Sequence, residues 1–267
     1  MLADLCADEY FEIDGLRVRF RVAGDGPPLL LIGGIGASLE LWDPLLDHLE
    51  GFTTIAFDHP GAGLSGTPPQ LVPMNYFARV AAELIAHLGY EQVDVLGFSF
   101  GGMAAQQLAR AYPECVRRLV LVATSCGWGG VPGGPAALAA IATPFRYYSP
   151  SYFQMIAPVL YGGPANRDGA RVQAQAEVRR KHPPSVRGYY VQLFAAWSWS
   201  SMPWARELRC PALVLCGSDD PITPIVNSRI LARELPDARL IEMPEAGHLF
   251  LVESAAEVAP HVLEFLS

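Results

Sequence analysis

The chain has 267 residues, 51% of them hydrophobic, which is enough to bury a large core in one α/β domain with an insertion or in two domains. The net charge of −8 excludes nucleic acid and anionic membranes as favoured partners, because both bind clustered lysines and arginines. No apolar run is long enough to span a bilayer, and the acidic start shows no export signal. We therefore expect a cytoplasmic protein without integral membrane association.

The cysteines and histidines give little support for a disulfide framework or a metal site. None of the five cysteines belongs to a Cys-x-x-Cys pair, which favours reduced thiols, and the six histidines lack metal-binding spacing. We expect no metal. The cysteines are Cys6, Cys115, Cys126, Cys210 and Cys216.

The first third of the chain predicts a hairpin followed by two buried strands. Bulky and polar residues alternate over 9–22 around Asp14-Gly15, which predicts an antiparallel hairpin at a sheet edge. The apolar run 29–32 predicts a central strand. It leads into the glycine-rich loop 33–38, which is either a turn or an oxyanion loop with Ile35 as the amide donor, and then into a helix at 41–49.

The next strand, 53–57, ends in a loop that imitates a nucleotide-binding motif. Gly61-x-Gly63-x-x-Gly66 matches the dinucleotide fingerprint, but prolines follow it where that fingerprint must open a helix. We reject a nucleotide site. Asp58 is expected to bond the amides of its own loop, and His59 to be a loop histidine and not a base.

The segment 93–102 carries the chemistry. A helix predicted at 76–88 and a buried strand precede the sequence Gly97-Phe98-Ser99-Phe100-Gly101, and a helix is predicted to follow at 100–112. Gly-x-Ser-x-Gly between a strand and a helix forms a sharp turn that exposes the serine hydroxyl. We call this segment the elbow; its first helical amides, including that of Phe100, favour an oxyanion.

After a strand at 118–123, the pattern changes to short helical segments broken by prolines at 144, 150, 158, 164 and 183–184. We predict an inserted helical cap at 125–206, with residues 1–124 and 207–267 forming the core domain. Aromatic residues are concentrated in this segment, which indicates either the core of the cap or an apolar substrate pocket. The predicted pocket residues are Phe98, Trp128, Tyr189, Trp197 and Leu249.

The final third returns to the strand and helix pattern. Strands at 212–217 and 239–242 and helices at 225–235 and 254–266 complete a mainly parallel sheet of eight strands with helices on both faces. Polar residues follow three of the parallel strands: Ser99, then Asp219 or Asp220, then His248. This order accompanies the strand-turn-helix nucleophile, and parallel strands bring their carboxyl ends to one edge.

These motifs resemble the α/β-hydrolase superfamily over nearly the whole chain. The resemblance rests on Gly33-Gly34-Ile35-Gly36, on the elbow, on Gly217-x-x-Asp220-Pro221 and on Gly247-His248. It implies Asp220 as the triad acid, with Asp219 as second choice. Many relatives have His-Gly where this chain has Gly33-Gly34, a departure that leaves the Ile35 donor intact.

Several stretches resemble a narrower family, the intracellular poly(3-hydroxyalkanoate) depolymerases of the medium-chain-length type. They include Tyr147-x-x-Pro150-Ser151-Tyr152, Tyr161-Gly162-Gly163 and Gly188-Tyr189-Tyr190-x-Gln192, which lie in the predicted cap. This resemblance implies hydrolysis of a storage polyester, with the surface of the polyester granule as partner. The alternatives are a carboxylesterase or lipase acting on soluble esters, and a ligand-binding homologue without turnover.

The expected mechanism is a two-step acyl transfer that needs no cofactor. Ser99, deprotonated by His248, attacks the ester carbonyl; Asp220 orients the imidazole, and the amides of Ile35 and Phe100 hold the oxyanion. Water then releases the hydroxyacid.

Overall fold

A computed structural model describes residues 7–267; Cys6, named above, lies outside the described residues. The sheet contains eight strands. Their bounds are β1 Glu9–Ile13, β2 Leu16–Ala23, β3 Pro28–Ile32, β4 Thr53–Phe57, β5 Val93–Phe98, β6 Val116–Val122, β7 Ala212–Gly217 and β8 Ala238–Met243.

The strands form one sheet in the order β1-β2-β4-β3-β5-β6-β7-β8. β1 and β2 are antiparallel to each other, and β2 is antiparallel to β4, whereas the other neighbours are parallel. The predicted hairpin at a sheet edge and the mainly parallel sheet are therefore confirmed. Parallel pairing brings the ends of β5, β7 and β8 to one edge, which is where the polar loops of interest begin.

Alternate residues of the central strands point to opposite faces of this sheet, and most of these residues are apolar. Both faces are therefore covered by helices. These helices are α1 Asp43–Leu46, α2 Met74–His87, α3 Phe100–Ala111, α9 Ile225–Glu234, α10 Phe250–Glu253 and α11 Ala255–Leu266. Leu30 and Ile32 of β3 pack in a cluster with α2 and α3, whereas Leu29 and Leu31 pack in a second cluster with α1 and α11.

Between β6 and β7 the chain leaves the sheet and forms five further helices: α4 Pro135–Ile141, α5 Phe145–Tyr148, α6 Pro150–Tyr161, α7 Gly169–Lys181 and α8 Val186–Trp197. Residues from α4 to α8 pack into both core clusters. None of the helices formed by residues 7–267 is long and apolar enough to cross a bilayer.

Two expectations about helices are corrected. The helix expected at 41–49 is a 3-10 turn at Leu39–Trp42 followed by the short α1, which begins at Asp43. Pro158, which was expected to separate two short helical segments, lies inside α6. The burial of Phe153, Ala157 and Leu160 against the core stabilises α6. It offsets the free-energy cost of the backbone hydrogen bond that a proline removes from a helix interior.

Candidate active site

Ser99 occupies the sharp turn between β5 and α3. Its backbone has φ +54° and ψ −116°, a conformation that residues with a side chain rarely adopt. Two hydrogen bonds hold the turn: the Ser99 amide donates to the Val122 carbonyl at 2.9 Å, and the Thr124 hydroxyl donates to the Ser99 carbonyl at 2.7 Å. A Cβ on Gly101 would lie 1.9 Å from the Ile32 carbonyl oxygen, so glycine is required for this close approach.

The serine hydroxyl lies at one end of a chain of hydrogen bonds. Ser99 Oγ is 3.1 Å from Nε2 of His248, and His248 Nδ1 is 2.7 Å from Oδ2 of Asp220. Because a carboxylate can only accept, Nδ1 carries the proton and donates it to Asp220, which leaves Nε2 to accept from the serine. All three side chains are buried. The arrangement can remove a proton from Ser99 while Asp220 stabilises the charged imidazole.

The two neighbouring aspartates have different surroundings. Asp220 Oδ1 accepts from the amides of Ile222 and Thr223 at 2.8 and 2.9 Å, and Oδ2 accepts from the Thr223 hydroxyl at 2.6 Å. The Asp219 side chain is 53% exposed and instead accepts from the Gly163 amide, at 2.7 Å. Asp220 is therefore the carboxylate that is hydrogen-bonded to His248.

The glycine-rich loop after β3 lies beside the serine. A Cβ on Gly34 would be 3.6 Å from Cβ of Ser99, and both Gly34 and Ile35 line the same cavity as Ser99. On the other side of Ser99, Phe100 is the first residue of α3. The first amides of a helix have no acceptor within it, and the helix dipole favours negative charge there. Ile35 and Phe100, the residues whose amides are expected to hold the oxyanion, thus both lie beside Ser99.

Two side chains from the helices between β6 and β7 hold this loop. The Tyr147 hydroxyl donates to the Ile35 carbonyl at 2.6 Å. Gln192, which is fully buried, accepts from the Gly36 amide at 2.7 Å and donates to the Pro60 carbonyl at 3.1 Å. The position of the Ile35 amide therefore depends on α5 and α8 as well as on the sheet.

His59 also holds the glycine-rich loop after β3. Its Nε2 donates to the Gly33 carbonyl at 3.2 Å, and its ring meets those of Phe57, Phe77 and Phe100 edge-on. Burial lowers the pKa of His59 to about 4, although the bond to Gly33 opposes this effect. The imidazole is therefore neutral at pH 7 and has a structural contact, as expected for a loop histidine. Asp58 accepts from the Leu64 amide, also as expected.

A small cavity of about 50 Å³ opens at the serine. Its wall is mostly apolar and contains Phe98 and Leu249, two of the expected pocket residues. The lining residues are Gly34, Ile35, Ala37, Ser38, Leu41, Phe98, Ser99, Ile141, Arg146, Tyr147, Tyr161, Val178, Arg179, Ile222, His248 and Leu249. The space holds only a few water molecules, so it is too small to enclose a whole acyl chain.

The alpha/beta hydrolase fold family model matches residues 27–255, which is most of the chain. This protein belongs to the α/β-hydrolase family. It is 42% identical over 264 residues to a poly(3-hydroxyalkanoate) depolymerase of Ectopseudomonas oleovorans, and the match covers 96% of this chain and 90% of that relative.

Solved structures agree with the fold of this α/β hydrolase. The enol-lactonase from Burkholderia xenovorans LB400 superimposes with a TM-score of 0.84 at 22% identity, covering 97% of this chain and 99% of the other. A thermophilic esterase from Thermogutta terrifontis gives a TM-score of 0.79 at 26% identity, covering 98% and 97%.

Three expected pocket residues of this α/β hydrolase lie elsewhere. Trp128 and Trp197 are 62% and 68% exposed, and they pack against each other on the outer surface. Their assignment to the pocket is wrong, because aromatic content alone does not tell which side of a helical layer a ring faces. Tyr189 is fully buried behind the cavity wall, where its hydroxyl accepts from Arg146 at 2.6 Å and donates to the Ile141 carbonyl.

Several polar residues near the site were given no role from the sequence. Thr223 follows Asp220 by three positions, a spacing typical of aspartate turns, and this signal could have found it. Gln192 and Arg146 contact residues far away along the chain, so no local pattern indicates their roles.

Proposed function

We propose that this α/β hydrolase cleaves the ester bonds of poly(3-hydroxyalkanoate) through an acyl-serine intermediate. The observation that carries the proposal is the Ser99–His248–Asp220 chain, with distances of 3.1 and 2.7 Å, at the end of an apolar cavity. The 42% identity to a poly(3-hydroxyalkanoate) depolymerase over 96% of the chain supports the choice of polyester. The proposed catalytic residues are Ser99, His248 and Asp220.

In the first step His248 Nε2 takes the proton of Ser99 as Oγ attacks the ester carbonyl. The amides of Ile35 and Phe100 donate to the oxyanion that forms. The bond to the leaving alcohol then breaks, and His248 returns the proton to that alcohol. Water repeats the sequence on the acyl-serine, with His248 again as base, and releases the acid.

We further propose that residues 125–206 form a cap that meets the polymer at a granule surface inside the cell. The large apolar side chains that are exposed among residues 7–267 lie between 128 and 197, apart from Leu64, Leu71 and Val226. One group forms a shallow surface groove, which we call the apolar groove; it consists of Leu138, Ile141, Ala142, Tyr190, Leu193, Phe194 and Trp197. Such a surface favours adsorption to an apolar solid.

The second candidate is an esterase of soluble medium-chain esters. The small size of the cavity at Ser99 favours it, because a free ester molecule needs less space there than a polymer chain does. The alternative without turnover predicts no hydrolysis of any ester.

The test compares the wild type with Ser99→Ala on three substrates: emulsified poly(3-hydroxyoctanoate), emulsified poly(3-hydroxybutyrate) and p-nitrophenyl octanoate. Chromatography measures the hydroxyacid released, and absorbance measures nitrophenolate. We expect the wild type to release 3-hydroxyoctanoate and the variant to be folded and inactive on all three. Hydrolysis of the soluble ester alone would reject the depolymerase proposal, and full activity of the variant would reject Ser99 as nucleophile.

A further inference from the structure

The cavity at Ser99 contains a buried cation. Arg146, on the short helix α5, is only 3% exposed and lines the same cavity as Ser99 and His248. A guanidinium remains charged at all physiological pH values. A cavity for a purely apolar acyl chain has no need of such a group, and burying it opposes folding.

The contacts of Arg146 leave its charge without a counterion. One of its amino groups donates to the Tyr189 hydroxyl at 2.6 Å and to the Thr143 carbonyl at 3.3 Å, and the guanidinium lies 4.7 Å from the ring centre of Tyr147. Its Nε is buried and makes no hydrogen bond to any of the residues 7–267, and no carboxylate among those residues pairs with it. These neutral contacts hold the side chain in place, but they do not neutralise it.

A second arginine lines the same cavity. Arg179, on α7, lies 4.8 Å from the ring centre of Phe153 and 5.3 Å from that of Tyr161. Its hydrogen bonds, at 3.4 Å, go to Gln175 one turn earlier in the same helix. Within the described part of the chain, it forms no ion pair, and no aspartate or glutamate belongs to the cavity wall. The cavity is therefore locally positive in a protein whose net charge is −8.

We propose that Arg146, assisted by Arg179, binds a carboxylate of the substrate: the free carboxyl end of a 3-hydroxyalkanoate chain. This inference rests on the proposed function. Guanidinium groups bind carboxylates with two parallel hydrogen bonds, and the bond is strong where water is excluded. With the terminal carboxylate held in the cavity, the nearest ester bond, to the next monomer, is the one presented to Ser99.

The step that follows is ordinary ester hydrolysis at the chain end. Ser99 Oγ forms a bond to the carbonyl carbon of the penultimate monomer, and the bond from that carbon to the terminal monomer's oxygen breaks. The proton from Ser99 passes through His248 to that oxygen, so the terminal monomer leaves as a 3-hydroxyacid that still carries its carboxylate. Water then cleaves the acyl-serine. Each cycle consumes one water and shortens the chain by one monomer from its carboxyl end.

A purely structural role for Arg146 predicts a different result. In that case the residue only ties α5 to Tyr189 of α8, and its loss weakens the hydrolysis of every ester in the same proportion. The ratio between a charged and a neutral substrate therefore separates the two roles.

The experiment uses the dimeric ester of 3-hydroxyoctanoate as free acid and as methyl ester. We expect wild-type kcat/KM to be at least about tenfold higher for the free acid than for the methyl ester, because one charge-assisted hydrogen bond contributes about this factor. Arg146→Gln should lose this preference, mainly through a higher KM for the acid, and Arg179→Gln should reduce it. The matched control is Arg110→Gln, because Arg110 is exposed and stacks 4.6 Å from the Trp204 ring, outside the cavity; it should keep the wild-type ratio.

A second measurement needs no variant. Octanoate should inhibit wild-type hydrolysis of the neutral dimer competitively, at a concentration about tenfold lower than octanamide requires. Equal kcat/KM for the two dimers, or equal inhibition by octanoate and octanamide, would overturn the carboxylate site and leave the ester hydrolase standing. If the enzyme hydrolysed neither of the two dimers, the proposed function itself would be overturned.

Discussion

At the scale of single residues, the hydrogen-bonded chain depends on how firmly Asp220 is held. Two amides and one hydroxyl donate to this carboxylate, and Thr223 supplies the hydroxyl as well as one of the amides. The same hydroxyl lies 3.4 Å from Nδ1 of His248. Thr223 therefore fixes the rotamer in which Asp220 faces the imidazole.

Replacing Thr223 with valine should lower kcat on p-nitrophenyl octanoate about tenfold, because one hydrogen bond to a charged group is lost at constant side-chain volume. KM should change little, since Thr223 does not line the cavity. The matched control is Thr67→Val, because the Thr67 hydroxyl lies 2.7 Å from that of Ser185 on the surface. Equal kcat values for the Thr223 variant and the wild type would show that the amides alone hold Asp220.

A pH dependence of stability follows from His59. Its folded-state pKa is about 4 because of burial, below the ordinary value of 6.5, so between these values the unfolded chain binds a proton that the folded chain does not. The contribution of neutral His59 is complete above pH 6.5 and is lost as the pH falls toward 4. The loss is on the order of 3 kcal/mol, since each pKa unit corresponds to about 1.4 kcal/mol.

His59→Gln keeps a donor for the Gly33 carbonyl but has no proton to gain. Urea unfolding of both proteins should show that their difference in free energy of unfolding shifts in favour of the variant as the pH falls from 7 to 4. A difference that stays constant over this range would contradict the pKa assigned to His59.

The sequence was sufficient to predict the positions of those site residues that follow a predictable strand. Ser99, Asp220 and His248 follow predictable strands, so their meeting at one sheet edge could be expected. The sequence alone did not decide whether Asp219 or Asp220 contacts His248, because only the course of the turn determines which carboxylate points inward. Arg146 could not be found, because tertiary packing brings its partner Tyr189 from α8, 43 residues further along the chain.

At the scale of elements, α5 and α8 act on the loop that carries the Ile35 amide. A Cβ on Gly36, whose φ is +71°, would lie 2.9 Å from the Tyr147 ring and 3.0 Å from that of Tyr189. Helix and loop are thus in direct contact, and Gln192 joins them through the Gly36 amide. The geometry of the proposed oxyanion site is set partly by these two helices.

Gln192→Ala should lower kcat on soluble and polymeric esters about tenfold, with a smaller change in KM, because a misplaced oxyanion donor weakens the transition state. Gln173→Ala on the exposed side of α7 is the matched control. Steady-state kinetics measures the effect, and thermal unfolding checks the fold. If the melting temperature fell and kcat stayed unchanged, Gln192 would be only a packing residue.

Elements of the core were easier to predict than those between β6 and β7. Buried parallel strands appear as apolar runs such as 29–32 and 212–217, and glycine or proline marks their ends. The intervening helices also expose apolar side chains, so their apolar positions do not mark which face is buried. α6 is an example, since Phe153 and Tyr161 are buried on one face whereas Met155 and Val159 are exposed.

At the scale of the whole molecule, the proposed functions of the two sides of the cap are separate. The inner side closes the cavity at Ser99, whereas the outer side exposes the apolar groove, and Ile141 is the one lining residue that the two have in common. Adsorption to a polymer and ester chemistry should therefore respond to different substitutions at positions other than Ile141.

Trp197→Ser should reduce binding to poly(3-hydroxyoctanoate) particles about tenfold, because burial of a large aromatic side chain contributes about 1.5 to 3 kcal/mol. Hydrolysis of p-nitrophenyl octanoate should be unaffected, since Trp197 is 68% exposed and outside the cavity. Leu71→Ser is the control, because Leu71 is 57% exposed and lies outside residues 125–206. Sedimentation with the particles measures binding; equal losses for both variants would argue against a specific surface.

The central claim is that Ser99 is a nucleophile activated by His248 and Asp220. Treatment with diethyl p-nitrophenyl phosphate tests it directly, because this reagent phosphorylates an activated serine and releases a coloured phenolate. We predict one diethylphosphoryl group on the peptide containing Ser99, complete loss of ester hydrolysis, and no labelling of His248→Ala. An unlabelled Ser99 in a protein that retains its activity, or inactivation by a label on another residue, would contradict the account.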